Sequence, residues 1–124
     1  MSADDVLDPA TVAGLRRAQQ HYGSPMFIRR LADLFLENTP AKMDRIREAI
    51  AERDAAVLER VSHTLKTNCA VLGAVRMAGA CERLEAAAGR AAFDEADAAF
   101  RVADALLPEV LAAVSALAEA SPSD

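Results

Sequence analysis

Tryptophan is absent from these 124 residues, and aromatics of all kinds make up only 4%. Cysteine occurs twice, too rarely for a disulfide scaffold, and points to a reducing compartment. Gly and Pro number five each and are dispersed, so there is no low-complexity linker or collagen-like tract. Basic residues are in deficit: 14 Lys and Arg stand against 19 Asp and Glu, a net charge of −5. An acidic chain without a basic stripe is a poor nucleic-acid binder. No apolar run approaches the roughly 18–20 residues of a membrane span. The opening MSADDVLDPA is acidic and polar, unlike a secretory signal, so a cytoplasmic location is expected. Neither GxxxxGK[ST] nor GxGxxG occurs, and the chain is too short for a kinase domain. Phosphate chemistry here would have to borrow its phosphoryl group from another protein.

What remains is helical. Alanine is roughly a quarter of the chain and favours helix. No segment alternates apolar and polar residues as a strand does. Asp8-Pro9 is an N-cap with proline at the first helical position, and opens a short helix over about 9–20. Gly23-Ser24-Pro25 repeats the device and opens a longer helix. Its apolar positions are Phe27, Leu31, Leu34, Phe35, Met43, Ile46 and Ile50, and Pro40 should kink or break it. Asp54 caps a third helix that stops at Gly73, and a fourth runs from Val75 to Ala88 and stops at Gly89. The last begins near Phe93. Its stripe is Phe93, Ala96, Phe100, Ala103, Leu107, Val110, Val114 and Leu117, and Pro108 is a possible kink. The expected fold is all-α: an antiparallel four-helix bundle (up-down-up-down) over about 24–119, with a short additional N-terminal helix. The domain is single, 1–124, monomeric, with a frayed tail at 120–124 and a solvated acidic start at Asp4 and Asp5. Opening on Met1, it reads as a complete small protein.

On a wheel of the third helix at about 100° per residue, Leu58, Val61, Leu65 and Leu72 fall about 140–200° from His63 and mark the buried stripe. Glu59, Arg60, Lys66, Thr67 and Ala70 fall within about 60° of His63, which therefore faces away from the core. A lone exposed histidine is most often an ordinary surface residue. Its neighbours alter that reading. Lys66 can reach an anion held at the imidazole, and Ala70 is small and leaves the surface open. On the fourth helix Met77, Cys81, Leu84 and Ala88 form the core stripe, and Glu85 flanks it. A carboxylate there could accept the Nδ1–H of His63, fix the tautomer and leave Nε2 as nucleophile. Cys69 and Cys81 read as small buried hydrophobes. His21 is assigned no role, and no HxxxH or HxxE pairing supports a metal site.

The string SHTLKTNCAVLGA, followed by CERLE, resembles the histidine-containing phosphotransfer (HPt) domain of bacterial phosphorelays. The family pattern is close to HxLK(G/S)xxxxLGA, with a downstream LE or LQ. The resemblance implies that His63 is the phosphoacceptor, Lys66 the phosphate-side lysine and Glu85 the residue that hydrogen-bonds the histidine. It aligns Leu65, Leu72, Gly73 and Ala74 with framework positions. Thr67 stands where the family has Gly or Ser, beside the docking surface, and Asn68 follows it, pointing toward the core and in need of hydrogen-bond partners.

By this resemblance a receiver domain presents a phospho-aspartate to His63, and a second receiver takes the phosphoryl group on. The chain is then a carrier without kinase activity of its own. It needs no metal, nucleotide or other cofactor, since Mg²⁺ comes with the receiver. Its partners are response-regulator receivers and/or a hybrid histidine kinase, with no nucleic acid or membrane. Docking would use Glu59, Thr67, Ala70, Ala78 and Glu82 in a small, weak interface. A second possibility within the family is the phosphoacceptor module of a chemotaxis-type kinase. From another class comes a binding-only inhibitor or scaffold for a receiver or kinase; a hydrolase is disfavoured, as no second base or oxyanion site is evident.

Overall fold

The computed structural model describes residues 5–121; the expectations for Asp4 and for 122–124 lie outside them. Among the described residues there are five helices and no strand: α1 (Pro9–Tyr22), α2 (Phe27–Glu52), α3 (Ala55–Leu72), α4 (Val75–Gly89) and α5 (Phe93–Glu119). None is long and apolar enough to cross a membrane. Helix α2 packs on α3 and α5, and α4 packs on both α3 and α5, so these four close around one core. Helix α1 lies against α2 and α3.

The caps explain the boundaries. Asp8 accepts from the Thr11 amide (3.2 Å) and hydroxyl (2.8 Å), with Pro9 at the first helical position. Asp54 accepts from the Val57 amide at 3.1 Å. Each satisfies amides that a helix start leaves without partners. Gly73 ends α3 in the left-handed region at φ 81°. It also receives α1: the Asp8 amide donates to the Gly73 carbonyl at 2.8 Å. A Cβ at Gly73 would lie 3.0 Å from both the Asp8 nitrogen and the Thr11 Cβ. Gly73→Ala is therefore expected to cost roughly 1–3 kcal/mol from backbone strain and crowding together. Urea unfolding would show the loss, and faster hydrogen exchange at the Asp8 amide would show that α1 had loosened.

Several sequence expectations need correction. Ser24-Pro25 does not start α2. The Ser24 hydroxyl accepts from the Met26 amide at 3.1 Å, the chain makes one turn, and the helix begins at Phe27. Pro40 does not break α2, which runs through it; α5 likewise runs through Pro108. Both prolines are exposed, so water can serve the carbonyl left without an amide. In the first half of α2 the buried face is Ile28, Ala32 and Phe35 rather than Phe27, Leu31 and Leu34. Leu34 is 55% exposed. The two sets are adjacent faces with the same period, and packing chose the one with the small Ala32. On α5, Leu106 is buried and Leu107 only half-buried. Helix α4 does end at Gly89, its last residue, but the left-handed turn that follows falls on Ala91 at φ 52°. Asn68 is not in the core: it is half-exposed and lines a groove between α2 and α3, so it carries no buried-amide requirement.

The core stripes of α3 and α4 are buried as their period predicts: Leu58, Val61, Leu65, Leu72, Met77, Cys81, Leu84 and Ala88. Both cysteines are fully buried and free. A hydrogen bond with Cys81, together with burial, holds the Cys69 thiol far above its ordinary range. Arginines of α2 and its C-cap tie down α5. Arg29 donates to the Ala118 carbonyl at 3.4 Å, Arg47 lies 5.3 Å from the centre of the Phe100 ring, and Arg53 lies 4.9 Å from that of Phe93. These contacts advance along α2 as they recede along α5, so the two helices run in opposite directions.

Candidate functional site

His63 sits mid-way along α3, with its side chain 61% exposed. The residues before and after it explain the exposure. Val61, Ser62 and Leu65 are buried and anchor the helix, so position 63 is turned to solvent.

Glu85 of α4 bridges two residues of α3. Its Oε2 lies 2.8 Å from His63 Nδ1, and its Oε1 accepts from Lys66 Nζ at 2.6 Å. The carboxylate reaches both because Leu84, Ala87 and Ala88 are buried beside it and hold that edge of α4 against α3. Chemistry then follows from the acceptor. An ionised carboxylate has only lone pairs to offer, so Nδ1 must carry the hydrogen. In the neutral ring this leaves the lone pair on Nε2, aimed away from Glu85.

The triad's charges reinforce one another. The Lys66 hydrogen bond is the main cause that holds Glu85 below the usual carboxylate range; His63 adds to it, and partial burial opposes it. The same bond raises Lys66 above the usual lysine range. Glu85 with a depressed folded pKa stabilises the fold above the ordinary glutamate range, and that contribution is lost as pH falls through the folded value. Lys66, raised on folding, contributes below the ordinary lysine range and ceases to do so as pH rises through its folded value. We therefore expect the melting-temperature gap between the wild type and Glu85→Gln to be present at neutral pH. It should shrink as the solution is acidified below the ordinary glutamate range. A gap that widened in acid would contradict the ion bridge.

The other sequence-predicted positions surround His63 at different depths. Glu59, Thr67, Ala70 and Glu82 are exposed. Ala78 is half-buried and packs on the edge of the core. The Thr67 hydroxyl donates to the His63 carbonyl at 3.2 Å, one turn back along its own helix. The hydroxyl proton is thereby used within the helix, and the side chain presents its methyl and an accepting oxygen to a partner. Thr64 behaves likewise, donating to the Arg60 carbonyl at 3.1 Å.

One feature beside the histidine is not evident from the wheel. On the α2 side of α3 lies a groove of about 360 Å³ lined by Leu34, Phe35, Lys42, Thr64, Asn68 and Val71 among others. Its signal in the sequence is Leu34 and Val71, apolar residues off the buried faces of their helices.

A family model described as "Hpt domain" matches residues 30–120 of the chain. Among curated proteins none matches. Among solved structures, the crystal structure of histidine-containing phosphotransfer protein B (HptB) from Pseudomonas aeruginosa PAO1 is similar in fold. It superposes with a TM-score of 0.83 at 23% identity, over 98% of this chain and 100% of that one.

Proposed function

Because the chain belongs to the Hpt domain family, we propose that it is a phosphorelay intermediate with His63 as its phosphoacceptor. The observation that carries this reading is the Glu85 bridge, which orients the imidazole and sets a cation one turn from it. His63 Nε2 attacks the phosphorus of a receiver's phospho-aspartate in line. The N–P bond forms, the aspartyl O–P bond breaks, and the receiver's carboxylate leaves. The Nδ1–H stays on the ring, where Glu85 offsets the positive charge that the ring acquires. The transition state spreads negative charge over the equatorial oxygens, and Lys66 supplies a positive charge within reach of them. His63 and Lys66 are the residues that meet the phosphoryl group; Glu85 positions them. In the return step a second receiver's aspartate attacks the same phosphorus, and Nε2 is the leaving group.

In this reading residues 1–124 form one domain, an antiparallel up-down-up-down bundle of α2 to α5 with α1 as the short additional helix. The ring of helix contacts and the opposed runs of α2 and α5 support that arrangement. Receivers, free or joined to a hybrid kinase, dock over His63. They use Glu59, Thr67 and Ala70 of α3, Ala78 and Glu82 of α4, and the neighbouring groove at Thr64 and Val71. The Mg²⁺ belongs to the receiver.

The test is phosphoryl transfer from a panel of phosphorylated receiver domains. Label should reach the chain within seconds to minutes, in a form labile to acid and stable to base. Binding of a receiver with no labelling from any of them would replace the carrier reading with that of a binding-only inhibitor.

A further inference from the structure

Three arginines stand at seven-residue intervals along α4 and its C-cap: Arg76, Arg83 and Arg90. Seven residues are close to two turns, so the three share one face. That face meets α5. Arg76 pairs with Glu109 (Nη1 to Oε1, 3.6 Å), and Arg90 pairs with Glu95. Along α5, Val102 stands midway between Glu95 and Glu109. The seam is thus a ladder with ion pairs as its outer rungs, and the middle rung sets Arg83 opposite Val102. Arg83 takes part in none of the ion pairs among the described residues. Val102 is 38% exposed. Both line a groove of about 420 Å³ with Ala86, Ala98, Ala99 and the mutually paired Arg90 and Glu95. The groove lies on the α5 side of α4, whereas Glu85 and His63 lie on the α3 side.

We propose that this groove is a second docking surface, which takes an acidic amphipathic segment of a protein partner. Small apolar side chains of the segment fill the alanine-walled trough, and one of its carboxylates completes the middle rung with Arg83. Charge selects this occupant. The flanking arginines are already paired, so Arg83, exposed at the edge of the groove, is the cation left to be matched. A second copy of the chain fits poorly. An isologous contact centred on the middle rung would bring Arg83 against its own copy near the two-fold axis. The inference does not rest on the phosphorelay reading.

The test uses the full chain, labelled with ¹⁵N, and a synthetic amphipathic helical peptide. One face of the peptide carries Ala and Leu around a central Glu, and its outer face carries Gln. Titration should shift the amides of Ala86, Ala98 and Val102. Replacing the peptide's Glu by Gln, or Arg83→Gln in the protein, should each weaken binding about tenfold or more. Arg83→Glu should reject the Glu peptide and accept one with a central Lys, a swap that loss of folding would not produce. His63→Gln should leave the titration unchanged, so a failure here is separable from a failure at the histidine. The proposal is overturned by an absence of shifts in the groove into the millimolar range, by equal affinity for the Glu and Gln peptides, or by shifts confined to the His63 face.

Discussion

His63→Gln is expected to abolish phosphoryl uptake from every receiver while leaving the fold and its melting temperature nearly unchanged. The reason lies in what glutamine keeps and what it loses. Its side chain is polar, and its amide can donate to Glu85, so the carboxylate retains a partner beside Lys66. Position 63 is exposed, so no core volume changes. An amide nitrogen has its lone pair delocalised into the carbonyl and is no nucleophile, so the in-line attack has no attacking atom. The effect on transfer is total rather than graded, since no other group beside Glu85 and Lys66 replaces Nε2. The measurement compares acid-labile label in the wild type and the variant at matched concentration, with circular dichroism as the control for folding. Residual labelling at the wild-type rate would remove His63 from the mechanism and require another acceptor.

Leu65→Ala is the largest expected loss of stability close to the site. Leu65 is fully buried on α3, between His63 and Lys66 in sequence and on the face opposite His63. Truncation removes transfer free energy and leaves a cavity that close-packed neighbours fill only in part, so the cost is about 2–5 kcal/mol. Domains of this size are stable by about 5–15 kcal/mol, so the loss is a large share of the whole. Urea denaturation should show the midpoint falling with little change in slope. Transfer per folded molecule should persist, because the Glu85 bridge is held from α4 by Leu84 and its neighbours. A variant that lost transfer while still folded would show that Leu65 also sets the angle of the histidine. This pairing with His63→Gln separates chemistry from packing on two residues of one helix.

Much of this was legible in the chain itself. Asp8-Pro9, Asp54 and Gly73 announced helix boundaries because their side chains, or the lack of one, solve a local hydrogen-bonding problem at a helix end. The stripes of α3 and α4 could be read from period alone, because each has one strongly apolar face. Other elements resisted. In α2 the apolar residues Phe27, Ile28, Leu31, Leu34 and Phe35 support two overlapping registers, and a period cannot decide between them. Ser24-Pro25 carries the signal of a helix start and is used for a turn instead. Pro40 reads as a kink or break and Pro108 as a kink, yet each helix continues through its proline, which lies on a solvent face. The groove at Leu34 and Val71 left only a faint signal, two apolar residues off the buried faces, because it is the space between two helices and not a property of either.

The sequence by itself determined the all-helical class, the buried faces of α3 and α4, and the outward aim of His63. These depend on contacts three or four residues apart, where the period of the helix dictates geometry. It also held the long string around His63 by which the family is recognised. Only the tertiary structure decided that one carboxylate serves both His63 and Lys66, and that Arg83 alone of its ladder lacks a glutamate. Each of these depends on the relative rotation and register of helices, or on a rotamer choice made within them. Those are set by how side chains from distant parts of the chain interlock, which no local pattern specifies.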